Sequence, residues 1–214
     1  MSQDKSQAGA LDAARARQIT IGVTGASGAA YATRTIAALL EKGLTLELVF
    51  SDFGRRLLKD ELGPGASVDR LGDYLKDRYG DGVKNGRFIV HSNRDLGATI
   101  ASGSHRSSGM AVVPCSMKTL AGIAHGLSRN LVERAADVML KEKRPLIIVP
   151  RETPMSLPQL KNMVLAAEAG AMIMPAMPAF YQMPKTLDDL ADFMAGKILS
   201  ALGFSHELYP SWEG

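Results

Sequence analysis

The fold is decided by the stretch Ile19-Thr20-Ile21-Gly22-Val23-Thr24-Gly25-Ala26-Ser27-Gly28. Its β-branched first half predicts a short buried strand over residues 19–23, and its glycines predict a tight turn over residues 24–28. Residues 29–42 have a helix-favouring composition, and Gly43 closes that helix. The stretch therefore reads as a strand, a glycine-rich turn and a helix in succession.

The same alternation of strands and helices recurs along the chain. The predicted strands are residues 44–50, 110–114, 146–149 and 171–174, and the predicted helices are residues 52–62, a segment from 116, residues 157–169 and residues 187–202. Short apolar strands that alternate with helices predict an α/β fold, namely a Rossmann-like, doubly wound parallel sheet in a three-layer sandwich. We expect a single domain over residues 18–214, preceded by a disordered extension of residues 1–17.

Composition excludes several classes of protein. The net charge is only +3, and cations alternate with anions, so nucleic acid is not an expected partner. No stretch approaches the roughly 20 apolar residues that a membrane helix requires. The only cysteine, Cys115, cannot form an internal disulfide, and no apolar signal core opens the sequence, so we expect a cytoplasmic protein. The four histidines have no metal-ligand spacing, so we expect no metal site.

Ligands of such sheets bind beyond the carboxyl ends of the strands. This rule selects the segments that follow predicted strands: residues 24–28, Ser51, residues 115–119, Arg151 with Glu152, and residues 175–181. The apolar residues 172–181 contain three methionines, which are either core filler or the lining of a slot for a flat ring or an isoprenoid tail.

Most of these segments have both a binding and a structural interpretation. The turn over residues 25–28 offers free amides at a helix N-terminus, where an anionic ligand could bind, or its glycines only permit the turn. Ser51 and Ser116 either contact a ligand or cap a helix. The hydroxyls of Ser116 and Thr119, with Lys118 between them, suit a phosphate.

The charged pair Arg151-Glu152 favours a functional role because it directly follows an apolar strand. An arginine can grip a phosphate through two hydrogen bonds, and a carboxylate can move a proton. For Cys115 we favour a structural role. No histidine and carboxylate are evidently arranged around it, so we interpret it as a small buried thiol rather than a nucleophile.

Five segments together resemble one family. They are Thr24-Gly25-Ala26-Ser27-Gly28, Ala101-Ser102-Gly103-Ser104, Pro114-Cys115-Ser116-Met117-Lys118-Thr119-Leu120, Asn130-Leu131-Val132-Glu133-Arg134-Ala135-Ala136-Asp137-Val138 and Pro150-Arg151-Glu152. Taken in this order, they closely resemble the UbiX-type flavin prenyltransferases, and the resemblance runs from about residue 18 to residue 212.

The resemblance implies an activity. Members of this family join the dimethylallyl group of dimethylallyl phosphate to N5 and C6 of reduced FMN, without a metal. The prenylated FMN serves a UbiD-type decarboxylase in ubiquinone biosynthesis or aromatic acid metabolism. Members assemble as large homo-oligomers, commonly dodecamers, so we expect a neighbour to complete the site.

The resemblance also implies roles for individual residues. The flavin contacts are Gly25, Ala26, Ser27, Ser51, Ser116, Met117, Lys118, Thr119, Arg134 and Arg151. The contacts of dimethylallyl phosphate are Tyr181, Lys197, Lys141 and Arg151, with Trp212 near the allylic group. The catalytic set is Glu152, Ser27 and Glu61, and Glu152 relayed through Ser27 would remove the proton from C6. Lys197 stands where arginine is the commoner family residue, which leaves open whether the donor is a monophosphate or a diphosphate.

Two alternatives stay open from the sequence. A flavin-dependent cysteine decarboxylase has the same fold, but its substrate clamp carries an asparagine where this chain has Pro178 after residues 175–177. A flavin-binding module without chemistry of its own would make Glu152, Lys141 and Tyr181 expendable.

Overall fold

The computed structural model describes residues 18–210, which form one parallel sheet between two layers of helices. The strands are β1 (Gln18–Val23), β2 (Thr45–Phe50), β3 (Arg87–Ser92), β4 (Met110–Cys115), β5 (Leu146–Pro150) and β6 (Met172–Ile173). The helices are α1 (Ala29–Glu41), α2 (Asp52–Leu62), α3 (Leu71–Tyr79), α4 (Met117–Ala124), α5 (Leu131–Lys141), α6 (Leu157–Glu168) and α7 (Leu187–Ala201). The predictions for residues 1–17 and for Trp212 lie outside the described residues.

The strand order is β3-β2-β1-β4-β5-β6, and every pairing is parallel. The chain builds outward from β1 to β3, then returns to the other side of β1 and builds from β4 to β6. The order therefore reverses between β1 and β4, where the crevice of such a sheet forms. This arrangement confirms the predicted doubly wound sheet in a single domain.

Each face of the sheet has its own core. On one face Ile19, Ile21 and Leu48 pack with residues of α1, α2, α3 and α7, and on the other Val112 and Ile148 pack with residues of α4, α5 and α6. All of these side chains are fully buried. Burial of apolar area on both faces stabilises strands whose sequences are almost continuously apolar.

Two elements, β3 and α3, were not predicted from the sequence, and neither were the bounds of α5. β3 is an edge strand that begins at Arg87, and its residues are partly or fully exposed, so its apolar pattern is weak. α3 has Gly72 as its second residue, which lowers its helix propensity.

No helix within residues 18–210 is long and apolar enough to cross a membrane.

Candidate functional site

The turns after β1, β4 and β5 are joined by hydrogen bonds at the carboxyl edge of the sheet. The Thr24 hydroxyl donates to the Pro114 carbonyl (3.0 Å) and accepts from the Ser116 amide (2.7 Å). The Arg151 amide donates to the Cys115 carbonyl (3.3 Å), and Arg151 Nε donates to the Ser27 carbonyl (3.3 Å). The structure thus brings the three predicted segments together around the crevice between β1 and β4.

The first turn keeps its backbone accessible because it lacks side chains at two positions. Gly25 is exposed, and a Cβ there would lie 2.5 Å from Cβ of Phe53, so only glycine fits beside this atom. Gly28 has a φ of 128°, which other residues rarely adopt. Within residues 18–210, the amides of Gly25 and Ser27 have no hydrogen-bond acceptor. This turn can therefore donate to a ligand at close range.

Glu61 corrects one expectation about this turn. Its carboxylate accepts hydrogen bonds from the amides of Gly28 (3.0 Å) and Ala29 (2.8 Å), so these amides at the start of α1 are not free. A carboxylate at this end of a helix is stabilised by the helix dipole. Burial, and then the charge of Glu61, raise the pKa of the nearby Tyr31. Glu61 is thus held at the rim of the crevice, 33 residues along the chain from Gly28.

Ser51 and Ser116 both cap helices, and the hydroxyl protons that remain for a ligand belong to Ser51 and to Thr119. Ser51 Oγ accepts from the Gly54 amide (3.0 Å), and an accepting hydroxyl keeps its own proton to donate. Ser116 Oγ accepts from the Thr119 amide (3.3 Å) and donates to Thr119 Oγ1 (3.0 Å). The proton of Thr119 is then available, so the structural and binding roles are compatible. Next to them, Met117 is buried and Lys118 is exposed.

Arg151 and Glu152 follow β5 and face the crevice with spare polar atoms. Within the described chain, the Arg151 guanidinium forms a hydrogen bond only through Nε, so both of its terminal nitrogens remain for a ligand. One oxygen of Glu152 accepts from the Thr153 amide (3.1 Å), and its other oxygen has no partner among residues 18–210. The Ser27 hydroxyl likewise has no partner there. These groups can bind an anion and move a proton.

Cys115 lies behind the crevice and takes no part in it. Its side chain is fully buried, and burial raises the pKa of its thiol far above the ordinary value. A thiol in this state is a poor nucleophile because little thiolate forms. The structure supports its interpretation as a small core residue.

Arg134 and Lys141 lie on one face of α5, Arg134 in its first turn and Lys141 in its last. Arg134 Nε donates to the Ala101 carbonyl (3.1 Å), and its guanidinium also pairs with Asp137 (2.8 Å). Lys141 pairs with Glu142 in the last turn of α5, and a Cβ on Gly103 would lie 2.5 Å from Lys141 Nζ. Lys141 is therefore at the amino edge of the sheet, before β5 begins. Because β5 rises about 3.3 Å per residue, this edge is on the order of 16 Å from Arg151.

Tyr181 and Lys197 belong to the segment that follows β6. The Tyr181 ring packs edge-on against Phe193 of α7, with 6.2 Å between the ring centroids, and is about half exposed. Lys197 is exposed on the same helix. It is close enough to His206 to contribute, after burial and Lys42, to lowering the pKa of that imidazole. Trp212, the remaining predicted contact of the donor, lies beyond the described residues.

The residues at the crevice fit a flavin nucleotide. A flat, electron-rich ring edge needs backbone donors at close range, which the glycine turn provides. A phosphate needs hydroxyl donors and a cation, which Ser51, Thr119 and Arg151 provide. No group of histidine, cysteine, aspartate or glutamate side chains within residues 18–210 is arranged to hold a metal ion.

Two contacts at the crevice were missed from the sequence. Thr24 lies in the predicted ligand-facing turn over residues 24–28, but its side chain is 1% exposed and instead joins two turns. Phe53 is 70% exposed beside Gly25, and a single aromatic residue in the first turn of a helix carries no signal of its own. Only the folded chain shows either contact.

Comparison with known families identifies what the chain is similar to. The profile of the family described as Flavoprotein matches residues 10–199. A flavin prenyltransferase UbiX of Halalkalibacterium halodurans is 47% identical over 193 residues, which is 90% of this chain and 92% of that protein. A flavin prenyltransferase UbiX of Thauera aromatica is 40% identical over 197 residues, 92% of this chain and 94% of that protein.

Solved structures give the same picture. AnUbiX, crystallised with FMN and dimethylallyl pyrophosphate, has a TM-score of 0.82 at 37% identity, over 92% of this chain and 98% of that one. A dodecameric FMN-dependent UbiX-like decarboxylase from Escherichia coli O157:H7 has a TM-score of 0.81 at 39% identity, over 92% and 100% of the two chains. A PPC decarboxylase with a TM-score of 0.54 is only 13% identical, over 75% and 82% of the two chains, and shares the fold alone.

Proposed function

Because the chain belongs to the flavoprotein family, and within it to the UbiX flavin prenyltransferases, we propose that its crevice between β1 and β4 is where reduced FMN is prenylated. The observation that carries this proposal is the convergence of the Gly25–Gly28 turn, the Ser116 turn and Arg151 on one edge of the sheet. The product, on this proposal, carries the dimethylallyl carbons on N5 and C6 of the flavin.

When bound, the flavin supplies the nucleophilic N5 and C6 atoms. The chain's own residues then have two tasks. The first is electrostatic, because breaking the allylic C–O bond leaves negative charge on the departing phosphate. The free guanidinium nitrogens of Arg151 stabilise that charge. The second is proton transfer, since the N5 proton must leave on alkylation, the alkene carbon next to the ring-closing bond must gain a proton, and the C6 proton must leave when that bond forms.

Glu152 and Ser27 are the groups for the removal of the C6 proton. The unpartnered oxygen of Glu152 accepts the proton, either directly or through the Ser27 hydroxyl, or else the departing phosphate accepts it. The Ser27 carbonyl is bonded to Arg151, so these three residues form one connected unit. Glu152→Gln should therefore bind FMN normally and close the new ring slowly. Unchanged single-turnover kinetics would remove Glu152 from the mechanism.

The donor phosphate takes its remaining cations from neighbouring copies of the chain. Lys141 sits at the amino edge of its own sheet, on the order of 16 Å from Arg151, so one chain cannot place both on one phosphate. The exposed Lys197 likewise contributes to a neighbour's site on this proposal. The dodecameric relative supports an assembly in which such contacts exist.

A mixed-oligomer experiment tests this arrangement. Lys141→Ala and Arg151→Ala should each be inactive alone, but co-expression in one oligomer should restore about a quarter of the sites, since random mixing joins intact residues from different chains. Arg151→Ala mixed with Glu152→Gln is the matched control, because both residues come from the same edge of one chain and no site regains both. Equal recovery in both mixtures would contradict a shared site.

Mass spectrometry tests the activity itself. Incubation of the anaerobic protein with reduced FMN and dimethylallyl phosphate should add one isoprenyl unit to the flavin, and dimethylallyl diphosphate in a parallel reaction determines the preferred donor. No mass gain with either donor would overturn the assignment.

A UbiD-type decarboxylase is the proposed acceptor of the product. Activation of that apoenzyme by the reaction mixture would test this pairing. The single buried Cys115 supports a reducing, cytoplasmic setting.

A further inference from the structure

Thr24 joins the two turns of the crevice through a single side chain. Its hydroxyl donates to the Pro114 carbonyl (3.0 Å) and accepts from the Ser116 amide (2.7 Å), while its own amide also donates to the Pro114 carbonyl (3.1 Å). The side chain is 1% exposed. It therefore lies behind the crevice and reaches no ligand in it.

Regular strand pairing does not hold the Ser116 turn here. The paired residues of β1 and β4 end at Gly22 and Val112, and farther along β4 its pairing with β5 shifts register between Val112 and Cys115. Beyond that irregularity, the Thr24 hydroxyl is the side-chain link between the ends of the two strands. The Ser116 amide that it binds opens the turn that carries the hydroxyls of Ser116 and Thr119.

We propose that Thr24 is a positioning residue for FMN, which sets the distance between the glycine turn and the Ser116 turn without touching the flavin. The inference rests on the proposed function, because it concerns the same crevice. A buried amide and carbonyl that lose their shared partner must find new ones, and the turn that carries them then shifts. Loss of the hydroxyl should thus weaken flavin binding more than it weakens the fold.

Two substitutions separate the hydroxyl from the shape of the side chain. Thr24→Val keeps the shape and removes both hydroxyl bonds, and Thr24→Ser keeps the hydroxyl. We expect Thr24→Val to raise the Kd for FMN about tenfold, a change of about 1.4 kcal/mol, and Thr24→Ser to stay close to wild type. At saturating FMN, the KM for the prenyl donor should change less than the Kd for FMN, because Tyr181 and Lys197 lie outside the two turns that Thr24 joins.

Thr33→Val is the matched control for a general loss of stability. Thr33 is fully buried in α1, and its hydroxyl bonds with the Tyr79 hydroxyl (3.0 Å) and the Ala30 carbonyl (3.3 Å), away from the crevice. This variant should lower the melting temperature and leave the Kd for FMN unchanged. Equal weakening by Thr24→Val and Thr33→Val, or wild-type binding by Thr24→Val, would overturn the proposal.

A measurement on the wild-type protein makes the test independent of any variant's folding. The Ser116 amide should exchange slowly with deuterium in the flavin-free protein, because Thr24 already binds it. Fast exchange of this amide would contradict the inference. Failure of the wild-type protein to bind FMN would instead count against the proposed function, so the two failures are distinguishable.

Discussion

The Glu61 carboxylate accepts a hydrogen bond from the Gly28 amide at 3.0 Å, and it thereby caps α1 from a different helix. The same carboxylate also accepts a hydrogen bond from the Ala29 amide (2.8 Å). Side-chain caps normally come from the residue just before the helix, but Gly28 has no side chain to offer. The end of α2 supplies the missing cap and also fixes an acidic group at the rim of the crevice.

Glu61→Ala should lower the free energy of unfolding by about 1 kcal/mol, since both amides lose their acceptor and the helix dipole loses a charge. Glu61→Gln should cost less, because its carbonyl oxygen can still accept. Urea-induced unfolding measures both changes. Asp60→Ala is the control, because Asp60 is an exposed residue that pairs only with Arg56 within the described chain, and such pairs contribute little. Equal costs for Glu61→Ala and Asp60→Ala would show that the cap is not stabilising.

Cys115 should be inert in the native protein. Burial raises the pKa of its thiol, so thiolate is scarce at pH 8, and the side chain is also sterically inaccessible. Titration with Ellman's reagent should therefore detect no thiol in the native protein and the single cysteine in denaturant. Cys115→Ala should keep the prenyl transfer. Loss of activity in this variant, without loss of fold, would assign the thiol a catalytic role.

Local sequence signals were sufficient for the elements that meet at the crevice. β1, α1 and α2 begin and end within a residue or two of the predicted positions, because a β-branched run, a glycine turn and capping serines are all read from neighbouring residues. The prediction of ligand-facing segments also followed from the sheet rule alone. Features that depend only on neighbouring residues could therefore be predicted from the sequence.

Contacts between residues far apart in the sequence could not be predicted. Glu61 and Gly28 are 33 positions apart, and no local pattern indicates that one caps the other. The family resemblance implies that Lys141 and Arg151 contact the same phosphate. Within one chain, however, they lie at opposite edges of the sheet. A linear motif does not record which chain supplies each residue, so this separation appears only in three dimensions.

His105 should make the protein less stable in mild acid. Burial lowers the pKa of its imidazole, with Arg144 and His91 acting in the same direction and Glu47 opposing them. Its buried Nε2 has no hydrogen-bond partner within residues 18–210. Because the unfolded chain takes up this proton more readily than the folded chain, the free energy of unfolding should fall as the pH drops below about 6.5.

His105→Gln should flatten this dependence, which urea unfolding at pH 7.5 and pH 5.5 would measure. His125→Gln provides the comparison, since His125 is exposed and its side chain bonds only to Asn162 within the described chain. The wild-type protein and the His125 variant should share one slope. If the His105 variant has that same slope, another group causes the acid sensitivity.

Gly25→Ala should damage flavin binding with little effect on the rest of the fold. The new Cβ would lie 2.5 Å from Cβ of Phe53, so the turn must move away from the position in which its amides face the crevice. We expect the Kd for FMN to rise at least about tenfold by fluorescence titration. Gly65→Ala is the matched control, because a Cβ there meets nothing within 4 Å.

The identity of the clashing atom sharpens this last test. Phe53→Ala retains the Cβ that collides with the new methyl group, so adding it to Gly25→Ala should not restore binding. Phe53→Gly removes that atom and should restore part of the affinity in the double variant. Restoration by both second substitutions would mean that the aromatic ring, rather than the Cβ of Phe53, excludes a side chain at Gly25.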